Sequence, residues 1–321
     1  MDSLVVSSLV PVVLLIAAGY FTGRQGWVGA AALKDLSNLI FLLLAPALLF
    51  RTMSLVRVED LQFRPVAAYF AASVLIFCAS LAWRGFNRNG AVLALANTFS
   101  NTVMIGLPLV ALAFGEAGMV VLLTLVSLHS LLLMTGATVV LELATAREQA
   151  RAQAQGGGHG KRRAMLRAVA RALRNAIIHP VPLPIMAGLL YGQTGWGLPD
   201  LLDKPLAMLG QAFSPLALVM VGITLAWTRV GEHLRGALVQ ATIKNLIHPL
   251  MVAAIAWLFG VRGLPLAVMV LTAALPIGAN VFLFSQRYRS AEALTTASVV
   301  VSTLLGLATV SLTLVAVRAL L

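Results

Sequence analysis

Two stretches of the 321-residue sequence set hydrogen-bonding side chains beside helix breakers within long apolar runs. The first holds Asn97-Thr98-Phe99-Ser100-Asn101-Thr102 followed by Gly106-Leu107-Pro108; the second holds Pro276-Ile277-Gly278-Ala279-Asn280. Proline removes a backbone donor and clashes with the preceding turn, so each stretch interrupts a helix and frees amides and carbonyls that hydrocarbon cannot satisfy. Such backbone survives where it lines a cavity. Half-helix N-termini there carry partial positive charge, and Asn97, Asn101 and Asn280 donate and accept hydrogen bonds at little charge cost. The chemistry this suits is recognition of a small anion, not covalent catalysis. Ser100, Thr102, Gly106, Pro108 and Pro276 complete the substrate-binding candidates on the two breaks, and Lys244 joins them as the one permanent charge well inside an apolar segment. Three roles are open to Lys244: offsetting substrate charge, neutralising helix-end carbonyls, or snorkelling to the interface. His248, one turn further on, and His129, between Ser127 and Ser130, are read as hydrogen-bonded packing or as proton relays. Phe99, Met104 and Phe282 are further candidates to line a path.

Carboxylates are missing from these stretches. All eleven acidic residues fall at or beyond the ends of apolar segments, which disfavours a sodium–proton antiporter and removes the paired aspartates of an intramembrane protease. Cys78 is the single cysteine, so neither an internal disulfide nor a cysteine metal site can form, and its apolar surroundings predict a packing role. Gln155-Gly156-Gly157-Gly158-His159-Gly160-Lys161-Arg162 imitates a phosphate loop but lacks its first glycine and its Ser or Thr after the lysine. No enzyme activity, catalytic residue, metal or cofactor is expected.

The elements that must position these residues follow from composition. The chain is 60% hydrophobic and 11% charged, against roughly 45–50% and about 25% in soluble domains. Lipid must solvate most of it. Charge, Gly and Pro punctuation divides the sequence into ten apolar segments: 3–22, 36–54, 65–83, 91–114, 117–143, 177–194, 206–228, 236–259, 264–286 and 293–317. Short alternating strands are absent, so the expected class is an all-α integral membrane protein of ten transmembrane helices. Met1-Asp2-Ser3 gives no basic region before the first apolar run, which is therefore expected to remain as a membrane helix.

The net charge of +12 is spread between segments and clusters once, a pattern of membrane topology and not of nucleic-acid binding. The cluster is the linker after segment five, with Arg147, Arg151, Lys161, Arg162, Arg163, Arg167, Arg171 and Arg174. The positive-inside rule puts it in the cytoplasm. Counting alternate loops on that side gathers sixteen of the 23 basic residues and sends both termini outside. Residues 164–174 carry basic and apolar positions at helical spacing, fit to lie along lipid headgroups.

The chain also repeats itself. Pro11 and Pro180, Gly19 and Gly188, Gly23 and Gly192, Gly26 and Gly195, Trp27 and Trp196, and Pro46 and Pro215 are each 169 residues apart. A duplicated unit of five segments is odd in number, so its second copy enters the bilayer upside down. The expected domains are residues 1–145, a linker at 146–175, and 176–321, with broken segments four and nine in corresponding places. Inverted repeats of this kind characterise secondary transporters.

Asn101 through Gly106-Leu107-Pro108-Leu109 resembles the asparagine-to-Gly-x-Pro-Leu signature of the auxin efflux carrier family, and Pro276 to Asn280 with Gln286-Arg287-Tyr288 resembles its second-half counterpart. Pro46-Ala47-Leu48-Leu49-Phe50, Pro215-Leu216-Ala217-Leu218 leading to Gly222, and Lys244 followed by Pro249 agree with it as well. The resemblance implies two inverted five-helix repeats, an architecture shared with bile-acid/sodium symporter-like transporters, with helices four and nine crossing at the substrate site. It also implies movement of organic anions such as auxin or malate. The short linker is similar to that of bacterial members and argues against auxin itself, while His179-Pro180 departs from the Asn-Pro of relatives. The expectation is thus a secondary transporter of carboxylates by alternating access across the bacterial inner membrane, working by uniport or exchange. A proton- or sodium-coupled symporter and a non-transporting receptor are the alternatives. Its partners are the organic anion, the lipid bilayer and, in a homodimer, a second copy of the chain.

Overall fold

A computed structural model of the chain describes residues 2–55, 57, 63–154, 181–228 and 230–318. Among them the regular structure is helical, with a single bridged residue pair as its only β-type contact, and the helix over Leu107–His129 is kinked at Gly115 (φ 62°, ψ −155°). The helices are α1 (Asp2–Arg24), α2 (Ala30–Leu39), α3 (Ala45–Ser54), α4 (Phe63–Arg84), α5 (Arg88–Ala96), α6 (Leu107–His129) and α7 (Thr135–Ala154). The second half supplies α8 (Pro182–Gln193), α9 (Asp200–Trp227), α10 (Val230–Thr242), α11 (His248–Leu258), α12 (Gly263–Ala274), α13 (Ala279–Tyr288) and α14 (Glu292–Arg318). Six stretches are long and apolar enough to cross a membrane: Ala32–Ser54, Arg64–Arg84, Ala117–Gln149, Asp200–Trp227, Gly231–Leu258 and Glu292–Arg318. Segments four and nine fall short of that length because each is cut in two, into α5 and α6 and into α12 and α13.

Proline shapes several of the continuous spans. Single π-helical turns at Ile40–Leu44, Thr102–Gly106 and Ile243–Ile247 each run into a helix whose second residue is a proline, Pro46, Pro108 or Pro249. A proline cannot donate to the carbonyl one turn back, and a locally widened turn relieves the ring's clash without ending the helix. The span bends and continues.

Two groups of helices result. α1 packs chiefly along α9, and α3 along α8 and α9, forming one panel. α4 packs on α5 and α11, α10 on α14, and α12 on α11 and α14, forming a second group that holds both breaks. Within the panel the closest approaches need glycine: a Cβ at Gly19 would lie 2.0 Å from the Val219 carbonyl oxygen, and one at Gly188 would lie 2.3 Å from that of Phe50. Shifting each partner of the first contact by the 169-residue offset gives the second contact. Arg51, near the end of α3, forms a bidentate ion pair with Asp203 of α9, at 2.7 and 3.0 Å.

Two expectations need correction. Cys78 is exposed on α4, so it does not pack in the interior. α7 continues to Ala154, well past the end of segment five, because Arg88 on α5 holds the Glu148 carboxylate through its backbone N–H (3.0 Å) and Nε (2.6 Å) and so anchors the extra turns. The glycine-rich imitation of a phosphate loop, the amphipathic stretch at 164–174 and Pro180 lie outside the described residues.

Candidate substrate site at the helix crossing

The two interrupted segments meet at their breaks. α5 starts under an Asn87 cap, whose Oδ1 accepts from the Gly90 N–H at 2.8 Å, and ends at Ala96; α12 ends at Ala274. Beyond these ends the chains extend and pair antiparallel, Ser100 opposite Ile277. The Asn101 N–H donates to the Pro276 carbonyl and the Gly278 N–H to the Phe99 carbonyl, both at 2.9 Å. Backbone polarity released by the breaks is thereby satisfied within the protein, as hydrocarbon requires. Glycine permits the approach: a Cβ on Gly278 would sit 2.8 Å from the Phe99 ring, and one on Gly106 would sit 2.9 Å from Leu275 Cδ1.

Side chains from α10, its π-turn and α14 hold the crossing from behind. Lys244 Nζ donates to the carbonyls of Ala273 (2.5 Å) and Leu275 (2.7 Å), at the C-terminal end of α12. One turn earlier Gln240 Nε2 donates to the Leu93 carbonyl of α5 at 3.0 Å, while its Oε1 accepts from Arg84 at 3.1 Å. Ser302 Oγ accepts from the Ile277 N–H at 2.8 Å and donates to Asn245 Oδ1 at 3.0 Å. A positive group at a helix C-terminus opposes the macrodipole, so Lys244 suits α12 in both hydrogen bonding and charge.

On the panel side of the crossing a cavity of about 40 Å³ opens between the breaks, α3, α6 and α9. Ser100, Asn101, Thr102 and Asn280 all line it, with Thr52 and Ser214 facing them across the seam. No carboxylate contributes to the lining. Asn280 Nδ2 reaches the Met134 sulfur at 3.4 Å, whereas Asn101 Nδ2 is buried without a hydrogen-bond partner. An unpaired buried amide donor is costly, roughly 1–3 kcal/mol, so it marks a place where an acceptor belongs. A space of this size holds a few waters; an organic anion requires panel and crossing to part.

The other sequence candidates lie around this cavity instead of lining it. Asn97 Nδ2 donates to Ser80 Oγ at 2.8 Å on α4, Pro276 contributes its carbonyl to the bridge, and Gly106 is a close-contact position. Lys244 is absent from the lining, its ammonium engaged with α12. Of the aromatic candidates, Phe99 lines the cavity, whereas Phe282 is fully buried away from the lining. The side chains of Met104 and Pro108 lie outside what is described.

Behind Ser100 runs a buried polar cluster. The Ser100 N–H donates to His129 Nε2 at 3.2 Å, which leaves the ring proton on Nδ1, itself without a partner. Tyr69 lies between His129 and His248, with ring centroids 5.7 and 5.8 Å away, and His248 Nε2 is 3.0 Å from Ser73 Oγ. The Tyr69 and Ser100 hydroxyls face one another without completing a hydrogen bond.

The family described as "Membrane transport protein" matches residues 4–314. The chain belongs to it. This is the auxin efflux carrier family that the motifs on the two breaks resemble. Members are transporters rather than enzymes, and the apolar spans make this one an integral membrane protein. A protein of Rhizobium meliloti (strain 1021) named "Putative malonate transporter" is 28% identical over 308 residues, covering 92% of this chain and 91% of its own.

Several residues of the site have no motif to point them out. Gln240, Asn245, Ser302, Tyr69 and Ser73 are polar groups in apolar spans, and that intramembrane polarity is the signal that could have found them. Thr52 and Ser214 are hydroxyls in apolar spans too, but only the approach of the panel to the crossing brings them to the cavity.

Proposed function

We propose that the chain is a secondary transporter of small organic anions, with carboxylates as the substrate class, working by alternating access as a uniporter or exchanger. The observation that carries this reading is the cavity at the crossing, bordered by an unpartnered Asn101 donor and by Asn280 and free of carboxylates. Hydrogen-bond donors at two half-helix starts, with no negative charge to repel it, suit an anionic oxygen. The Rhizobium relative's name supports a short dicarboxylate, and malonate is the first substrate to test.

The reading includes ten transmembrane helices in two inverted five-helix repeats, residues 1–145 and 176–321. A cytoplasmic linker at 146–175 joins them, and both termini lie outside the bacterial inner membrane. The paired contacts Gly19 with Val219 and Gly188 with Phe50 support the repeat, since the 169-residue offset turns one into the other. Ser100, Asn101, Thr102 and Asn280 bind substrate in this scheme, while Asn97, Gly106, Pro108, Lys244 and Pro276 hold the broken backbone that presents them. A second reading, proton-coupled symport, is favoured by one observation: His129 is bonded directly to the backbone of cavity residue Ser100.

Purified protein in liposomes should take up radiolabelled malonate saturably and show counterflow when preloaded with unlabelled malonate. Asn101→Leu and Asn280→Leu should each lower kcat/KM at least about tenfold, the loss of one hydrogen bond to a charged group. Uptake that never saturates would indicate a channel; no flux with malonate or other carboxylates would leave a receptor.

A further inference from the structure

A second cavity, of about 410 Å³, shares the helices α9 and α13 with the cavity at the crossing. Its walls are α2, the C-terminal ends of α9 and α13, and the start of α14. Lys34, Arg287 and Arg289 line it, against the single carboxylate of Glu292. Two polar groups there have unfilled capacity: Thr224 Oγ1 is buried without a partner, and the Gln286 amide faces Glu292 without completing a hydrogen bond.

The backbone is strained at the same place. Among described residues, Arg289 (φ 47°) and Ala291 (φ 52°) alone hold a left-handed conformation without being glycine. That conformation is strained for a residue that bears a side chain. At the C-cap of α13, where glycine would be relaxed, the chain instead keeps a guanidinium at the mouth of the cavity.

Two aromatic residues stand, along their helices, between residues of this cavity and residues of the cavity at the crossing. Along α13, Phe284 falls between Asn280 of the first cavity and Arg287 of the second, positions about 10 Å apart at helical rise. On the facing span Phe41 falls between Lys34 and Leu48 in the same way. Their rings meet edge to face at 5.7 Å, both buried, and the Arg287 guanidinium lies 5.7 Å from the centroid of Phe41. Moving Arg287 therefore disturbs the Phe41 ring.

We infer that the cavity lined by Lys34, Arg287 and Arg289 is a docking vestibule for a carboxylate anion, closed from the crossing by the Phe41–Phe284 pair. This rests on the transport reading for the destination of the anion, but docking itself is independent of flux. A vestibule of net positive charge raises the local concentration of anions and speeds capture, an effect that salt weakens. The vestibule lies at the end of the molecule where α7 leads toward the linker, because Arg88 bonds both Glu148 of α7 and, at 3.4 Å, the Tyr288 carbonyl of α13.

Trp227 lines the vestibule and is the reporter. Titrating purified wild type with malonate in lipid-free detergent should change fluorescence saturably; the change should vanish in Trp227→Phe and weaken at least about tenfold in the triple variant Lys34→Gln/Arg287→Gln/Arg289→Gln. In liposomes of neutral lipid, sorted for orientation by protease cleavage of the linker, the triple variant should raise KM about tenfold at the linker face only, with kcat nearly unchanged. Replacing Arg287 and Arg289 by lysine should restore most of the affinity. No fluorescence change in wild type overturns the proposal whatever the flux. Malonate flux with unaltered KM in the triple variant overturns it while leaving transport intact. A KM effect seen only in vesicles of anionic lipid assigns the cations to headgroups and also overturns it.

Discussion

An ammonium group buried among apolar helices must find oxygen, and Lys244 finds it in the carbonyls of Ala273 and Leu275. The sequence showed that a charge in this position needs an explanation, but not which of its three roles applies. Position along a helix says nothing about which neighbouring helix ends nearby, and the end of α12 lies some thirty residues on. Lys244→Met should destabilise the protein by about 2–4 kcal/mol, since it leaves two carbonyls bare in the interior, and should lower kcat with little change in KM for a carboxylate. Lys244→Arg should retain part of both. Thermal unfolding in detergent together with transport kinetics checks this; a raised KM at unchanged stability would put the ammonium on the substrate instead. Asn101 and Asn280 were legible because asparagine beside Gly and Pro in an apolar run has few structural uses. Tyr69 and Ser73 signal only their polarity and not their place in the cluster, since an isolated hydroxyl on an apolar helix ordinarily bonds the carbonyl one turn back, as Ser73 also does to Tyr69 at 3.0 Å.

At the scale of elements, the crossing depends on how closely two extended peptides can approach. Gly278 sits at the contact, with Phe99 on one side and the Ser100 carbonyl 3.0 Å from where its Cβ would be. Gly278→Ala should cost about 1–3 kcal/mol through overpacking and, by splaying the bridge, lower transport more than stability. Phe99→Leu, which removes the nearer clash, should recover part of the loss in the double variant. Additive losses measured in the cycle would mean that the two positions do not touch. The breaks themselves could be read from Gly and Pro; their pairing could not, because sequence gives the place where a helix stops and not the partner its loose carbonyls will meet. The same limit explains the π-turns, whose prolines are visible in sequence while the compensating turn before them is not. Cys78 fails for a related reason: in a membrane helix an apolar neighbourhood surrounds both the packed and the lipid-facing sides, so hydrophobicity does not distinguish them.

For the molecule as a whole, the source of work is what remains to be measured. No phosphate loop is legible in the sequence and, among the described residues, no carboxylate lines the cavity; the proposed scheme draws on the anion's own gradient and the membrane potential, and its alternative is coupling to sodium or to a proton carried by the substrate or by the cluster of His129 and His248. One charge moved through 100 mV is worth about 2.3 kcal/mol, so a dianion moved alone would gain about 4.6 kcal/mol, a concentration ratio on the order of 10³. A dianion accompanied by two protons would gain nothing from the potential and would respond to pH alone. Uniport therefore predicts that proteoliposome uptake follows an imposed potassium-diffusion potential at equal pH on both sides, and that His129→Gln/His248→Gln retains this response. Net uptake should vanish only when the anion's gradient is set to balance the potential. Accumulation that ignores the potential, follows a pH gradient and is abolished in the double variant would make the histidine cluster the coupling site and the protein a proton symporter.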